Sequence, residues 1–149
     1  LPIFSSLLAV KMSDSPLKRY FLYTLFLAVS GALLLFVFAK LFIFILGGAK
    51  YAPAIPSLQI LSIAVFLTIL AGFFYNIGIA GKKQLLLLKF ATVAAIFNIC
   101  LNLIFIPKYS FIGASWITVI TQIFILLTSM YTAKVAIKQV PQIQKKITQ

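Results

Sequence analysis

From Ser57 to Gly78 the chain reads SLQILSIAVFLTILAGFFYNIG, with no charged residue in the run. An α-helix needs about 20 apolar residues to cross the hydrocarbon core of a bilayer, so this stretch is long enough to span. Outward from it the same pattern recurs. The reading expects spans from Tyr20 to Ala39, Ser57 to Gly78, Leu85 to Ile106 and Ala114 to Ala133. Pro53 and Pro56 precede the quoted run and Gly81-Lys82-Lys83 follows it, which marks both of its ends as turns. Pro107 to Gly113 is expected as a short loop, and Lys134 to Gln149 as a polar, basic tail forming a frayed amphipathic helix.

Composition supports the same class. Hydrophobic residues make up 63% of the 149 residues and charged ones 9%, against about 25% charged in soluble domains. The fold class expected is therefore all-α and integral to a membrane, with four transmembrane helices. The net charge is +12, from 13 basic residues and the single acid Asp14. Such a balance often signals nucleic acid. Here the cations stand singly or in pairs between apolar runs, so no nucleic-acid partner is expected and the bilayer is. Cys100, alone inside an apolar run, reads as a small packing residue.

Toward the N-terminus, Leu1 to Val10 is apolar but too short to span, and looks like the end of an interrupted helix. Lys11 to Arg19 reads as a polar loop. No signal-peptide pattern opens the chain, and the chain is expected to continue upstream. After Lys40, Leu41 to Leu46 stays apolar; it either extends a tilted helix or lies along the interface, until Gly47-Gly48 stops it.

Basic residues alternate between the connecting segments. Lys11, Lys18 and Arg19 lie before the first span, Lys82, Lys83 and Lys89 between the second and third, and Lys134, Lys138, Lys145 and Lys146 after the fourth. The other two connections hold only Lys40, Lys50 and Lys108. Cytoplasmic loops carry the excess of Lys and Arg, so the tail and the Lys82 turn are expected in the cytoplasm. Lys40 and Lys89, close to span ends, can snorkel to the interface along their apolar stems. Tyr20, Tyr23, Tyr51, Tyr75, Tyr109, Tyr131 and Trp116 fall near span ends, as interfacial anchors do, and the Phe residues read as lipid-facing bulk.

Small and polar residues within spans gather into stripes. Ala91, Ala94, Ala95, Asn98 and Asn102 fall within roughly 100° of arc, and Ser115, Thr118, Gln122 and Ser129 within roughly 60°. Thr68, Gly72 and Asn76 recur every four residues, and Thr24, Ala28, Gly31 and Ala32 form a small-residue stripe suited to helix packing. For Asn76, Asn98, Asn102, Thr118 and Gln122 two readings stand side by side. One is hydrogen bonding across a helix interface, worth about 1 kcal/mol or less. The other is the lining of a polar substrate path. No Asp, Glu, His or Arg lies inside any span. A proton relay, a metal site or an activated nucleophile needs such groups. The reading therefore assigns no catalytic residue, metal or cofactor to these spans, and expects no enzyme.

Two stretches carry more than composition. One is Gly48-Ala49-Lys50-Tyr51-Ala52-Pro53-Ala54 with Leu58-Gln59-Ile60-Leu61. The other is Asn98-Ile99-Cys100-Leu101-Asn102-Leu103-Ile104-Phe105-Ile106-Pro107-Lys108-Tyr109 with Gly113-Ala114-Ser115-Trp116-Ile117-Thr118. Together with Leu1-Pro2-Ile3-Phe4-Ser5-Ser6 they resemble the C-terminal region of the polysaccharide biosynthesis flippases, the O-antigen and capsule transporters of the multidrug/oligosaccharidyl-lipid/polysaccharide exporter superfamily. The family usually has Gly where Ser110 stands, and often Phe where Gly47 stands; the basic tail has no match. The resemblance implies a two-lobe transporter of twelve or more helices, with this chain forming the end of its C-terminal lobe. It implies a central cavity that passes a lipid-linked oligosaccharide across the plasma membrane. The rest of the parent transporter would be this chain's partner. A related drug or peptidoglycan-precursor exporter, a non-transporting membrane scaffold and a membrane-embedded transferase or polymerase are the alternatives.

Overall fold

The computed structural model describes residues 15–147, with side chains described for residues 17–139. The expectations for Leu1 to Asp14 lie outside the described residues. All described elements are helical: α1 (Ser15–Val37), α2 (Ala39–Gly47), a 3-10 turn (Ala49–Ala54), α3 (Ile55–Ala80) and α4 (Gln84–Ile147). Three stretches are long and apolar enough to cross a membrane, Leu17–Val37, Ala49–Ala80 and Gln84–Gln139. Only a helix satisfies its own backbone polar groups in lipid without recruiting other chain segments.

The helix starts and stops follow from local chemistry. α1 begins at Ser15, so the expected polar loop ends earlier than Arg19. Pro16 is the reason: its fixed φ and missing N–H suit the first turn of a helix. α1 stops at Val37, two residues before the expected Ala39, and the chain jogs at Phe38. The bonds Phe38 N–H to Leu34 O (3.0 Å) and Phe42 N–H to Phe38 O (2.9 Å) carry the spiral through into α2. Gly48, with φ 74°, ends α2, and Pro56 opens α3.

α3 ends in a hydrogen-bonded reversal. Lys83 N–H donates to Gly78 O at 2.9 Å and Lys82 N–H to Ile79 O at 2.9 Å. This 6→1 and paired inner bond is the Schellman arrangement, which requires a left-handed residue just past the helix end. Lys82 supplies it, with φ 57°.

The expected loop from Pro107 to Gly113 is helical except at Ser110, where φ 53° and ψ −146° break α4. Proline is tolerated within membrane helices because neighbouring groups re-satisfy the freed carbonyl, so Pro107 does not end the helix. The residues on either side of Ser110 pair in antiparallel register. Asn98 meets Thr121, and Phe90 packs edge-to-face on Tyr131 with ring centroids 6.3 Å apart. α4 is thus a hairpin of two arms, residues 84–109 and 111–147. The expected separate tail is the helical continuation of the second arm.

α3 sits at the centre and touches α1 and both arms. Phe21 of α1 meets Phe73 edge-on at 5.3 Å, and Phe73 meets Phe74 in the same way at 5.3 Å. Such pairs contribute about 0.5–1.5 kcal/mol beyond the area they bury. These three phenylalanines are therefore packed, not lipid-facing bulk. Ile77 and Ala133 complete the cluster, with Leu17 against it. Down α3 the buried Ser57, Ala64, Ala71 and Gly78 stand seven residues apart. Small residues let helix backbones approach, which drives packing where lipid is as apolar as the side chains. Ala28 of the first-span stripe is fully buried, as expected. Cys100 is exposed rather than packed.

The contacts also sort the charges. Leu17 packs at the Ile77–Ala133 level, and Gly81 lies against Ala136. The starts of α1 and of the first arm, the Lys82 turn and the end of the second arm thus share one end of the bundle. Lys18, Arg19, Lys82, Lys83, Lys89, Lys134 and Lys138 lie there. Lys108, beside the Ser110 turn, belongs to the other end.

Candidate functional site

The hydroxyls of the helices are mostly satisfied locally. Thr118 Oγ1 donates to Ala114 O at 2.9 Å, Thr68 Oγ1 to Ala64 O at 2.7 Å, and Asn76 Nδ2 to Gly72 O at 2.9 Å. With no water in the bilayer core, the preceding turn's carbonyl is the nearest acceptor. The Thr68, Gly72, Asn76 stripe does not face the packed side of α3. Thr68 is exposed, and a β-carbon on Gly72 would meet nothing within 4 Å.

Asn98 and Asn102 behave differently. Asn102 Nδ2 donates to Asn98 Oδ1 at 2.9 Å and to Asn98 O at 3.0 Å. Asn98 Nδ2 crosses the hairpin to Thr121 Oγ1 at 2.8 Å, and Thr121 Oγ1 donates onward to Ile117 O at 2.8 Å. The four groups form one directed chain from the first arm into the backbone of the second. Both ends of the Asn98 amide are used. Asn102 Oδ1 is buried and accepts no hydrogen bond among the described residues.

Asn98 and Asn102 line an open groove of about 310 Å³ with Ile99, Leu103, Ile106 and Pro107, while Asn102 Oδ1 itself lies beneath the surface. None of the six is titratable. The groove offers hydrogen bonds and apolar contact, and no general acid, base or nucleophile. Among the described residues no group of His, Cys, Asp or Glu could hold a metal ion.

Of the residues read from the sequence, Asn98 and Asn102 are brought together at this groove. Thr118 and Gln122 are half-buried on the second arm and are not among its lining residues; Asn76 is on α3. Thr121, 7% exposed, is the partner that the stripe reading missed. Its neighbour Gln122 fell within the stripe, and Thr121 is 100° further round. The hairpin register would have found it, because Asn98 and Thr121 are nearly equidistant from Ser110.

The comparisons with known proteins bear on the class alone. The chain is 36% identical over 103 residues to an uncharacterized membrane protein of Methanocaldococcus jannaschii. The match takes in 68% of this chain and 20% of that relative, so the chain spans about a fifth of the relative's length. No family model matches, and no solved structure does. Three helical stretches able to cross a bilayer, joined to a membrane-protein relative, make this chain a membrane protein that is all-helical over its described residues.

Proposed function

We propose that this chain forms the last four crossings of a flippase, which moves a lipid-linked oligosaccharide across the plasma membrane for surface polysaccharide synthesis. The two arms of α4 count as separate crossings in this reading, and the Lys82 turn and the tail face the cytoplasm. The parent is a two-lobe transporter, and this chain is the end of its C-terminal lobe. No covalent chemistry is required of it; the helices rock about a polar cavity.

The observation that carries the reading is the Asn98–Asn102 ladder beside its open groove. A sugar unit presents many hydroxyls to the amides of Asn98 and Asn102, which line the groove; Asn102 Oδ1 has no hydrogen-bond partner among the described residues and is covered in this conformation. The apolar wall of Ile99, Leu103 and Ile106 suits the chain of a lipid carrier. The resemblance of Asn98 to Tyr109 and Gly113 to Thr118 to the polysaccharide flippases supports the same cargo. The relative's greater length accommodates a parent with a second lobe.

Deleting the parent gene in its host and assaying which leaflet holds the lipid-linked oligosaccharides tests this. The expected result is accumulation on the cytoplasmic side with loss of surface polysaccharide. Normal surface polysaccharide, in a host with no redundant flippase, would instead favour a drug or peptidoglycan-precursor exporter. A second reading, a non-transporting scaffold, is favoured by one observation: the Asn98–Thr121 bond clamps the hairpin and needs no ligand. Normal lipid-linked sugar movement in the deletion strain and in the Asn102→Leu strain alike would support it.

A further inference from the structure

We propose that the end of the bundle around the Lys82 turn is a binding site for anionic phospholipid headgroups of the leaflet it faces. Two observations carry this. The first is a shared level. Gly81 lies against Ala136, so the Lys82–Lys83 turn stands level with Lys134 and Lys138, which are exposed on the far side of the second arm, about 160° round from Ala136. The packing of Leu17 on the same cluster adds the start of α1, with Arg19 exposed, at this level. Lys82, Lys134 and Lys138 are exposed too, and the chain's single acid, Asp14, lies outside the described residues.

The second is backbone conformation. Lys82 occupies the left-handed position of the Schellman turn, with φ 57°. Glycine is the usual residue there because a side chain costs about 1–2 kcal/mol. Here glycine stands one residue earlier, at Gly81, whose φ of −81° any residue adopts. A lysine is thus held where the backbone disfavours it, at the cation-rich end of the bundle. Attraction of a basic side chain to an anionic surface is worth about fivefold in affinity per charge and weakens with salt. The helix end itself attracts cations, and the experiment separates that local effect from lipid binding.

The full-length protein is reconstituted in nanodiscs of equal phosphatidylglycerol and phosphatidylcholine, and the lipids retained on release are identified by native mass spectrometry. Wild-type protein is expected to retain phosphatidylglycerol preferentially. The double variant Lys82→Gly, Lys83→Gln is expected to lose about thirtyfold of that preference, by the same per-charge factor. Lys82→Gly relieves the left-handed residue, so the variant is expected to keep its melting temperature in phosphatidylcholine. The control is Lys108→Gln at the opposite end, which is expected to leave the preference intact. Equal retention of the two lipids by wild type, or an unchanged preference in the double variant, would overturn the proposal. Displacement of the lipid by millimolar glycerol phosphate would overturn it as well, since the site would then take a soluble phosphate.

Discussion

Gly81 approaches Ala136 so closely that a β-carbon on the glycine would lie 3.1 Å from the Ala136 Cα and closer still to its methyl group. The glycine backbone is ordinary, with φ −81°, so an alanine there meets a steric obstacle and not a conformational one. Gly81→Ala is expected to destabilise the protein by about 1–3 kcal/mol, the usual cost of overpacking. Ala136→Gly in the same protein should recover part of the loss. Thermal unfolding in detergent of the two single variants and the double variant measures the coupling, and strict additivity would contradict the contact.

The hydroxyl of Thr121 is the acceptor that ties the two arms of α4 together. Thr121→Val keeps the shape and removes the acceptor, so it is expected to cost about 1 kcal/mol, typical of interhelical bonds in membranes. Thr121→Ser should be near neutral. Unfolding by SDS titration distinguishes them; equal stability of the valine and serine variants would mean that the bond carries no weight.

Ser110 holds backbone angles that only glycine adopts without strain. Ser110→Gly removes a strain of about 1–3 kcal/mol and adds unfolded-state freedom worth about 0.5–1 kcal/mol. The net expectation is a more stable protein, by about 1 kcal/mol, seen as a higher melting temperature. Ser110→Val should lower it. A melting temperature that falls on glycine substitution would refute the turn geometry.

The count of crossings has a direct chemical readout. With Cys100→Ala as background, Lys83→Cys, Lys108→Cys and Lys138→Cys are each labelled from one side with an impermeant maleimide. A hairpin that crosses twice puts positions 83 and 138 on one side and 108 on the other. An unbroken α4 would put 83 and 138 on opposite sides.

How far the sequence could be read depended on what kind of pattern each feature leaves. Hydropathy found the apolar runs that α1, α3 and α4 contain, because runs such as Ser57 to Gly78 leave the backbone no alternative in lipid; it did not separate α2 or show the second arm running past Ala133 to Ile147. The ends were harder: Pro16 and Pro107 look alike as letters, yet one opens a helix and the other is absorbed in one. Asn98 and Asn102 were legible because amides are rare in apolar runs. Thr121 was not, because threonine satisfies itself on its own helix at most other positions, as Thr68 and Thr118 do. The packed face of α3 was missed for a different reason. The stripe sought there had a four-residue repeat, Thr68, Gly72 and Asn76, whereas the buried file repeats every seven.

That file gives α3 an unusual mechanical profile. Ser57, Ala64, Ala71 and Gly78 present a hydroxymethyl, two methyls and a bare α-carbon, a surface of almost no relief. Large side chains seated in holes must be lifted out before a helix can move along its axis; these need not be. A seven-residue repeat also favours a gentle left-handed wrap, which keeps the file facing its neighbours along its length. Such a contact resists being pulled apart, through close backbone approach, but opposes axial slip weakly. On that face alone α3 is built as a plain bearing, where shear displacement meets little friction; Phe73 and Ile77, on its other side, are the side chains that hold it in place.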